Sequence, residues 1–508
     1  MSDDEGKLEG PDLALGVSLS DFKNGMLLGH VDKEAVLLVR TGSDTFAIDA
    51  FCSHYHGPLA DGLVVDASVR CPWHHACFDL RTGEAMRAPA LSSLSVWQVE
   101  QAADRVVVRC KRDHTGPART PPADAPRRIV IVGGGAAGFA AAEMLRRDGY
   151  GGEITMLSND EAPPVDRPNL SKDYLAGKAP EDWVPLRPDD FYSESNIDLR
   201  LRTQIAAIDG KARHVVLGDG KTVPFDRLLL ATGAEPVKLK IPGADQPHVH
   251  TLRTLADCRA IIAGAATAKR AVVIGASFIG LEVAAALRER DIEVHVVAPE
   301  RRPMERILGP DMGDFVRALH EEHGVVFHLQ DGVTEIDGRK VSLKGGSTLE
   351  ADLVVVGIGV KPRLDLAEQA GLKVDRGVIV TANLETSLPG IFAAGDIARW
   401  PDRYSGDSIR VEHWVVAERQ GQTAARNMLG LNEPFDAVPF FWSQHYDVPI
   451  NYVGHAETWD EIAVEGEIKA KDCVLRYKRA GRVLAVASIY RDIDSLKAEL
   501  EMEQNPIR

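Results

Sequence analysis

The sequence predicts a multidomain protein with a small all-β domain at the N-terminus, two α/β domains in the middle and a small α+β domain at the C-terminus. Three observations support this fold class. Residues 10–112 alternate short strand-like runs with Gly, Asp and Ser, without a long helical pattern. After residue 127, apolar runs of strand length alternate with helical stretches rich in Ala, Leu and Glu, which indicates parallel α/β units. From about residue 432, strand-like runs lead into a helical tail.

Domain boundaries follow from shifts in composition along the chain. Residues 113–126 contain four prolines, which predicts an extended, semi-rigid linker. Two glycine-rich turns lie about 142 residues apart, which indicates a duplicated nucleotide-binding fold. The predicted segments are the N-terminal domain (1–112), the linker (113–126), the first α/β domain in two parts (127–247 and 371–431), the second α/β domain (248–370) and the C-terminal domain (432–508).

Composition excludes several classes of protein. Of the 508 residues, 44% are hydrophobic and 26% are charged, as in ordinary globular proteins. The net charge of −16 disfavours nucleic-acid binding, and no apolar run approaches the roughly 18 residues of a membrane span. The N-terminus is acidic and polar, unlike a signal peptide, so we expect a cytoplasmic location. Six cysteines are too few for a disulfide scaffold.

The first motif that carries chemistry consists of two Cys–His pairs. Cys52 and His54 have C-x-H spacing, and Cys71 and His74 have C-x2-H spacing. A Rieske [2Fe–2S] centre binds one iron through two thiolates and the other through two imidazoles, so each loop would supply one ligand of each kind. The neutral imidazoles raise the reduction potential of the cluster. A zinc site with two Cys and two His ligands is the alternative.

The residues around these pairs favour the cluster over zinc. The stretches CSHYHGPLADG and CPWHHACFDLRTG closely resemble the Rieske family. Two histidines depart from the usual pattern: His75 stands where many Rieske domains have glycine, and His56 follows His54 by two residues. Each is either a spare ligand or an ordinary loop histidine, and His75 is a candidate for tuning the potential. Cys77 has no partner cysteine in the first loop.

The second motif is a glycine-rich turn after the strand RRIVIV. Gly133, Gly135 and Gly138 allow a tight turn, so that a helix N-terminus meets the pyrophosphate of a dinucleotide. The next strand, EITMLS, ends near Asp160 and Glu161, and one of these acids should bind the adenosine ribose. The spacing does not decide between them, although we favour Asp160.

A second turn of this kind follows the strand AVVI. It consists of Gly275, Ser277 and Gly280, where the small serine replaces the usual middle glycine. The next strand is followed by Glu300, Arg301 and Arg302. An acid here favours the ribose hydroxyl of NADH and an arginine the phosphate of NADPH, so NADH is favoured and NADPH stays open.

Residues 127–508 resemble the ferredoxin-reductase branch of the glutathione-reductase-like flavoproteins. The resemblance rests on ATGAEP, GIFAAGDIAR, DRPNLSK, RVEHWVVAERQG and VPFFWSQHYD. With the Rieske-like stretch in front, the chain most closely resembles Rieske-fused, apoptosis-inducing-factor-like proteins. The resemblance assigns the first turn to FAD and the second to the nicotinamide nucleotide. It further implies cofactor contacts by Arg167, Lys172, Thr232, Gly233, Glu282, Gly357, Gly359, Gly395, Asp396, Glu412, His413, Trp414 and Trp442.

The resemblance implies an NAD(P)H-dependent FAD oxidoreductase. Electrons would pass from NADH through FAD to the chain's own cluster, and then to an external acceptor such as a ferredoxin, a cytochrome or an oxygenase component. The implied catalytic residues are Lys172, Glu282, His413 and Trp442, with Lys172 stabilising the charge of the reduced flavin. The family also implies a homodimer. The alternative function is a redox-sensing interaction protein with slow turnover.

Two other enzyme classes fit the sequence poorly. A Rieske oxygenase needs a mononuclear iron held by two His and a carboxylate, and the histidines at 320, 323 and 328 lack the leading Asp. A disulfide reductase needs a closely spaced redox-active cysteine pair, which the sequence does not contain.

Overall fold

The structure is a computed structural model that describes residues 9–112 and 119–507. The chain divides into two compact units: residues 1–120 with 491–504, and residues 121–490 with 505–508. Of the predicted linker, residues 113–118 lie outside the described part of the chain. Among the described residues, no helix is both long and apolar enough to cross a membrane.

The N-terminal part of the first unit is built from antiparallel strands, which confirms the predicted all-β domain. Its strands are β1 (Val17–Ser18), β2 (Met26–Val31), β3 (Glu34–Thr41), β4 (Asp44–Asp49), β5 (Leu63–Val65), β6 (Ser68–Arg70), β7 (Cys77–Asp79), β8 (Ala85–Arg87), β9 (Trp97–Ala102) and β10 (Arg105–Lys111). They form sheets with the orders β1-β10-β9, β2-β3-β4 and β5-β6-β7-β8.

Strand β3 lies between two hydrophobic clusters because its apolar run is continuous. Successive side chains point to opposite faces of a strand. Leu37 and Val39 therefore join the cluster that contains Cys52 and Cys71, while Val36 and Leu38 join another. The first Cys–His loop connects β4 to β5, and the second connects β6 to β7. Both loops are thus anchored in the same core.

The second unit opens with a parallel sheet flanked by helices. Its first elements are β11 (Arg128–Val132), α1 (Ala136–Arg147), β12 (Glu153–Leu157), α2 (Asp173–Ala176), α3 (Asp190–Glu194), β13 (Ile197–Arg200), β14 (Ile205–Asp209), β15 (His214–Leu217), β16 (Thr222–Pro224), β17 (Arg227–Leu230) and β18 (Ala234–Pro236). Strands β13-β12-β11-β17 are parallel neighbours. Strand β11 is apolar and almost fully buried, as expected for a sheet covered on both faces.

A second parallel sheet follows, in the order β19-β26-β20-β21-β22. The elements of this region are β19 (Val249–Thr251), α4 (Leu255–Ala265), β20 (Arg270–Ile274), α5 (Phe278–Arg288), β21 (Glu293–Ala298), α6 (Glu305–Glu322), β22 (Val325–Leu329), β23 (Val333–Asp337), β24 (Lys340–Leu343), β25 (Thr348–Glu350), β26 (Leu353–Val356) and β27 (Val360–Pro362). Helix α6 bends at Gly309, which has φ 82° and precedes Pro310. The predicted duplicated α/β architecture is confirmed.

The chain then returns to the first parallel sheet. The elements here are α7 (Asp365–Gln369), β28 (Val378–Ile379), β29 (Ile391–Ala393), β30 (Ala398–Pro401), β31 (Ser408–Ile409) and α8 (Trp414–Met428). Strand β29 pairs in parallel with β17 and completes the five-stranded sheet. This pairing places residues 391–396 at the carboxyl edge of the sheet that carries the first glycine-rich turn.

An antiparallel sheet in the order β32-β33-β36-β35-β34 forms the C-terminal part of the second unit. Its strands are β32 (Phe440–His445), β33 (Val448–Gly454), β34 (Glu461–Glu467), β35 (Asp472–Arg479) and β36 (Arg482–Ile489). The last helix, α9 (Asp492–Gln504), belongs to the first unit. The sequence placed this helix with residues 432–508. In the structure the buried residues of α9 contact the N-terminal strands, and the predicted domain bounds stay a prediction.

Candidate functional site

The four predicted metal ligands lie on two loops with the same backbone geometry. In the first loop, the amide of His56 donates to the carbonyl of Cys52 at 3.0 Å, and in the second the amide of His75 donates to the carbonyl of Cys71 at 3.2 Å. His56 and His75 both have left-handed backbone conformations, with φ of 57° and 59°. Each matched turn therefore presents one Cys and one His.

The two turns bring their thiols and imidazoles together. The thiols of Cys52 and Cys71 are within hydrogen-bonding reach of each other. This contact raises the pKa of Cys52, as burial also does, and lowers the pKa of Cys71 against the opposing effect of burial. The rings of His54 and His74 lie 5.0 Å apart. A side chain at Gly57 would come within 2.7 Å of the Cys71 sulfur, so glycine is required for this approach.

These residues fit a [2Fe–2S] cluster. The cluster takes two thiolates at one iron and two imidazoles at the other, so its ligands form two pairs. Burial lowers the pKa of His54 to about 3, which keeps the ring neutral as an iron ligand must be. In residues 9–112 and 119–507, no three or more His, Cys, Asp or Glu side chains lie in an arrangement that could hold a single metal ion.

The structure separates the two extra histidines from the ligand set. His56 is exposed, whereas His75 is buried. The Nδ1 atom of His75 lies 2.8 Å from the Glu499 carboxylate, and its Nε2 atom lies 3.2 Å from the Ser495 hydroxyl. Because both ring nitrogens are occupied, the interpretation of His75 as a spare ligand is wrong. Its left-handed φ explains why glycine is common at this position.

The first glycine-rich turn has the geometry that a dinucleotide needs. Gly133 has φ 118°, and a Cβ there would meet the carbonyl oxygen of Ala231 at 2.1 Å. A Cβ at Gly138 would lie 1.9 Å from the Gly133 carbonyl oxygen, so glycine alone allows helix α1 to start this close to β11. Gly135 is the N-cap of α1. The helix N-terminus is thus open to a pyrophosphate.

Arginines and acids surround this turn. The guanidinium of Arg167 lies against Gly135 and pairs with Asp160 at 3.3 Å. Burial, with repulsion from Arg253 as a smaller cause, lowers the pKa of Arg167 to about 10. Glu161 is directed elsewhere and pairs with Arg202 at 3.4 Å. A partly desolvated arginine beside a helix N-terminus fits the diphosphate of FAD.

The carboxyl edge of the same sheet carries the other predicted FAD contacts. Asp396 is buried and accepts from Arg253 at 2.7 Å. Gly233 has φ 65°, and a Cβ there would come within 3.2 Å of the Arg253 guanidinium. The hydroxyl of the neighbouring Thr232 donates to a backbone carbonyl at 3.0 Å. Gly395 has φ 80°. Sequence reasoning missed Arg253, since an arginine after a short strand carries no signal of its own.

The second glycine-rich turn repeats this arrangement in the next sheet. Gly275 has φ 111°, and Ser277 caps helix α5 at its N-terminus. Cβ atoms at Gly275 and Gly280 would clash with the carbonyl oxygens of Gly357 and Gly275 at 2.3 Å each. Gly359 has φ 101°. Gly357 allows the backbone of the predicted loop to come close to Gly275 and Gly280, and Gly359 allows the loop to turn. The loop therefore lies against the second glycine-rich turn.

The residues after β21 differ in their availability to a ribose. Glu300 and Arg301 are exposed. Arg302 is engaged by two carboxylates, with Asp314 at 2.7 Å and Glu305 at 3.0 Å. Arg302 is therefore held by its own protein, while Glu300 is free of a comparable ion pair among the described residues.

Three of the four predicted catalytic residues converge where the two α/β domains and the C-terminal sheet meet. The ammonium of Lys172 lies 2.8 Å from the Glu282 carboxylate and 5.8 Å from the centroid of the Trp442 ring. Ser171 donates to the same oxygen of Glu282 at 2.5 Å. Ser171, Lys172 and Glu282 line a small pocket together with Gln444. The motif DRPNLSK, helix α5 and strand β32 thus each contribute one wall.

A buried hydrogen-bond chain runs from this carboxylate through side chains that the sequence analysis did not assign. Ser443 donates to Glu282 at 2.6 Å and lies 3.1 Å from Nε2 of His445. The Nδ1 atom of His445 lies 3.2 Å from Nε2 of His320, whose Nδ1 atom lies 3.2 Å from the Tyr446 hydroxyl. Burial lowers the pKa of His445 to about 3 and that of His320 well below its usual range.

The histidines considered for an oxygenase iron have separate partners. His320 belongs to the chain just described, His323 is 2.8 Å from the Leu319 carbonyl, and His328 is 2.9 Å from His295. They do not form a common ligand set.

The segment before helix α8 holds the remaining predicted contacts. Glu412 is about one-third exposed and accepts from Arg410 at 2.7 Å. His413 caps α8, its ring lies 4.5 Å from that of Phe441, and burial lowers its pKa to about 3. Trp414 begins the helix. His413 therefore packs beside the aromatic face of β32, on the side opposite to Trp442, since residues 441 and 442 alternate along the strand.

Comparison with known proteins places these sites in families. The profile of the pyridine nucleotide-disulphide oxidoreductase family matches residues 127–421. The Rieske [2Fe–2S] domain profile matches residues 17–98, and the reductase C-terminal profile matches residues 440–505. The matches cover the parallel sheets, the two Cys–His loops, and the C-terminal sheet with helix α9, respectively.

Individual relatives cover most of the chain. Human (Homo sapiens) apoptosis-inducing factor 3 is 34% identical over 96% of this chain and 84% of its own length. Rhodocoxin reductase from Rhodococcus erythropolis is 37% identical over 73% of this chain and 88% of its own length. A solved covalent complex of putidaredoxin reductase with putidaredoxin is 34% identical, with a TM-score of 0.72 over 75% of this chain and 94% of that chain. The chain thus belongs to the pyridine nucleotide-disulphide oxidoreductase family, as a Rieske-fused, apoptosis-inducing-factor-like oxidoreductase that uses FAD, NAD(P)H and a [2Fe–2S] cluster.

Proposed function

We propose that this enzyme takes electrons from NADH at its FAD, passes them one at a time to its own Rieske cluster, and delivers them to an external protein acceptor. The observation that carries the proposal is the presence, in one chain, of two matched Cys–His turns and of a reductase pocket built around Lys172 and Glu282. FAD supplies the conversion between the two-electron chemistry of nicotinamide and the one-electron chemistry of the cluster.

The residues of the reductase pocket have separable roles in this proposal. Lys172 places a positive charge, held by Glu282, where negative charge develops during reduction. The ammonium of Lys172 lies over the Trp442 indole, so Trp442 would help to hold this cation beside the flavin ring. Glu282 holds the ammonium through a carboxylate that Ser171 and Ser443 also bind, so three donors fix the carboxylate that positions the lysine.

The preference for NADH rests on the end of strand β21. A ribose with a free 2′-hydroxyl is suited to the carboxylate of Glu300, and a 2′-phosphate needs an arginine. Arg302 is already bound by Asp314 and Glu305, which supports NADH, whereas the exposed Arg301 keeps NADPH as the alternative.

The class of acceptor is supported by the relatives. Rhodocoxin reductase and the putidaredoxin reductase–putidaredoxin complex are named for small redox proteins. We propose that the acceptor here is likewise a redox protein, such as a ferredoxin, a cytochrome or an oxygenase component. The family resemblance further predicts a homodimer, which sedimentation of the FAD-loaded protein tests.

Anaerobic titration with NADH, followed by absorption and low-temperature EPR, tests the internal electron path. The proposal predicts that flavin absorbance bleaches and that the low average g signal of a His-ligated cluster grows with it. Flavin bleaching without reduction of an intact cluster would overturn the internal path. It would favour the alternative, a redox-sensing protein with slow turnover, which the end-to-end similarity to apoptosis-inducing factor 3 brings into consideration.

A further inference from the structure

Helix α9 (Asp492–Gln504) contacts the second cluster loop through one buried face. Ser495, Leu496 and Glu499 are each at most 1% exposed. Glu503 follows one turn later, and its side chain is 14% exposed. Residues three and four apart lie on the same side of a helix, so these positions form a stripe. The stripe faces the strands that support Cys71 and His74.

The centre of this contact is His75, which directly follows the predicted ligand His74. A non-glycine residue in the left-handed region is unfavourable unless its surroundings hold it there. Here both ring nitrogens are held by α9, Nδ1 by Glu499 at 2.8 Å and Nε2 by Ser495 at 3.2 Å. The ring is fully buried, so without α9 it would lose both of these buried hydrogen-bond partners.

Arginines on two strands of the same sheet bind the acids of the stripe. Arg70 directly precedes Cys71, is 5% exposed, and lies 3.5 Å from Glu499 and 2.6 Å from Glu503. Arg87, on β8, also pairs with Glu503 at 2.5 Å. The acids of α9 therefore fix the backbone on both sides of the second ligand pair, at residue 70 before it and at residue 75 after it.

We propose that helix α9 is a working part of the cluster site, in which Glu499 and Ser495 are positioning residues that hold the second ligand loop through His75. Partners that orient a metal-binding loop without touching the metal affect retention of the metal strongly. Loops with glycine at this position need no such support, because glycine adopts the left-handed conformation freely. The inference concerns how the cluster is retained and goes beyond the proposed electron path, because it holds whichever acceptor receives the electrons.

The test compares two full-length variants purified anaerobically, Glu499→Ala and the control Glu501→Ala, an exposed glutamate on the same helix. The readouts are iron and acid-labile sulfide per FAD, the rate of cluster loss to a ferrous-iron chelator, and the EPR g values of the reduced cluster. We expect Glu499→Ala to lose its cluster about tenfold faster than Glu501→Ala and to shift the g values, with unchanged FAD content.

A rescue variant separates positioning from general stability. In the double variant His75→Gly with Glu499→Ala, glycine accepts the left-handed φ and leaves no imidazole that needs a partner. We expect this variant to recover much of the slow cluster loss of the control. Three results would overturn the proposal: equal cluster loss in Glu499→Ala and Glu501→Ala, a parallel fall of FAD and iron, or a double variant no better than Glu499→Ala.

Discussion

Lys172 and Glu282 form an ion pair of 2.8 Å between the DRPNLSK segment of the first α/β domain and helix α5 of the second. The pair is nearly dry, with side-chain exposures of 14% and 3%. Two further hydroxyl donors reach the carboxylate. The ion pair thus links the two nucleotide-binding sheets at the point where nicotinamide and flavin chemistry would meet.

Breaking this pair should destabilise the protein markedly. We expect Glu282→Gln to lower the apparent free energy of unfolding by about 3 kcal/mol, because a buried ammonium loses its counter-charge. Urea unfolding followed by tryptophan fluorescence measures the effect. The control is Glu289→Gln, whose partner Lys178 is 56% exposed, and which should cost about 1 kcal/mol or less. Equal losses in the two variants would contradict the expected role of burial.

Ser443 should matter for the rate of flavin reduction. We expect Ser443→Ala to slow anaerobic bleaching by NADH about fivefold, since loss of one hydrogen bond to the Glu282 carboxylate amounts to about 1 kcal/mol. Stopped-flow absorbance measures the rate. Ser488→Ala is the matched control, because Ser488 is equally buried in the same sheet and its hydroxyl has no hydrogen-bond partner among the described residues. A similar slowing in both variants would show that Ser443 acts only through packing.

Acid should destabilise the second unit through His445. Its folded pKa is depressed to about 3 by burial, with repulsion from Lys172 as a smaller cause, while the unfolded value is about 6.5. As the pH falls, His445 is therefore protonated in the unfolded chain before it is protonated in the folded protein. Its contribution to stability is fully present above pH 6.5 and is lost as the pH falls from 6.5 towards 3.

In the wild-type protein the free energy of unfolding should fall as the pH is lowered from 7 to 4.5. We expect His445→Gln to reduce this slope by up to about 1.4 kcal/mol per pH unit. Urea unfolding at several pH values measures this slope. The comparison is His214→Gln, in the separate sheet β14-β15-β16. An unchanged slope in His445→Gln would argue that His445 does not stay neutral in the folded protein.

The cluster ligands should be separable from the flavin site. We expect Cys71→Ala to abolish the EPR signal and the bound iron, while FAD content and NADH-dependent reduction of a small two-electron dye persist. Cys77→Ala should retain the cluster, although Cys77 is also buried and lies on the adjacent strand. Loss of iron in both variants would mean that this core tolerates no cysteine change, and the ligand assignment would lose its support.

Nucleotide preference should depend on Glu300. We expect Glu300→Ala to raise the KM for NADH about tenfold, because a carboxylate hydrogen bond to the ribose is lost. The KM for NADPH should stay unchanged or fall, because the repulsion between the carboxylate and the 2′-phosphate is removed. Steady-state kinetics with both nucleotides measure this. Glu335→Ala, an exposed acid of the same domain, serves as control. Parallel changes for both nucleotides would place the ribose elsewhere.

The sequence predicted those features that depend on local pattern. The glycines of the two turns were identified because close backbone approach at Gly138 and Gly280 excludes any Cβ, which leaves a fixed spacing in the chain. The Cys–His pairs were identified for a similar reason, since each pair lies within one turn. Both signals are short-range, and both predicted folds around them are confirmed.

Features that depend on long-range contacts were missed. Arg253 reaches Asp396 across 143 positions of the chain, and His75 reaches Glu499 across 424. Neither partner carries a recognisable spacing, because their proximity is decided by how sheets and helices pack. The buried contacts of α9 with the N-terminal strands were missed for the same reason. A polar helical tail gives no indication in sequence of which surface its buried stripe will cover.

The N-terminal unit combines two segments that are far apart in the sequence, and this has a consequence for biosynthesis. Strands β1–β10 emerge from the ribosome long before Arg491–Gln504, which belong to the same unit. At about 5–20 residues per second, some tens of seconds separate the two events. The cysteines of the unit are made long before their fold is complete, so we expect iron and sulfide to be inserted only after Arg491–Gln504 have been made.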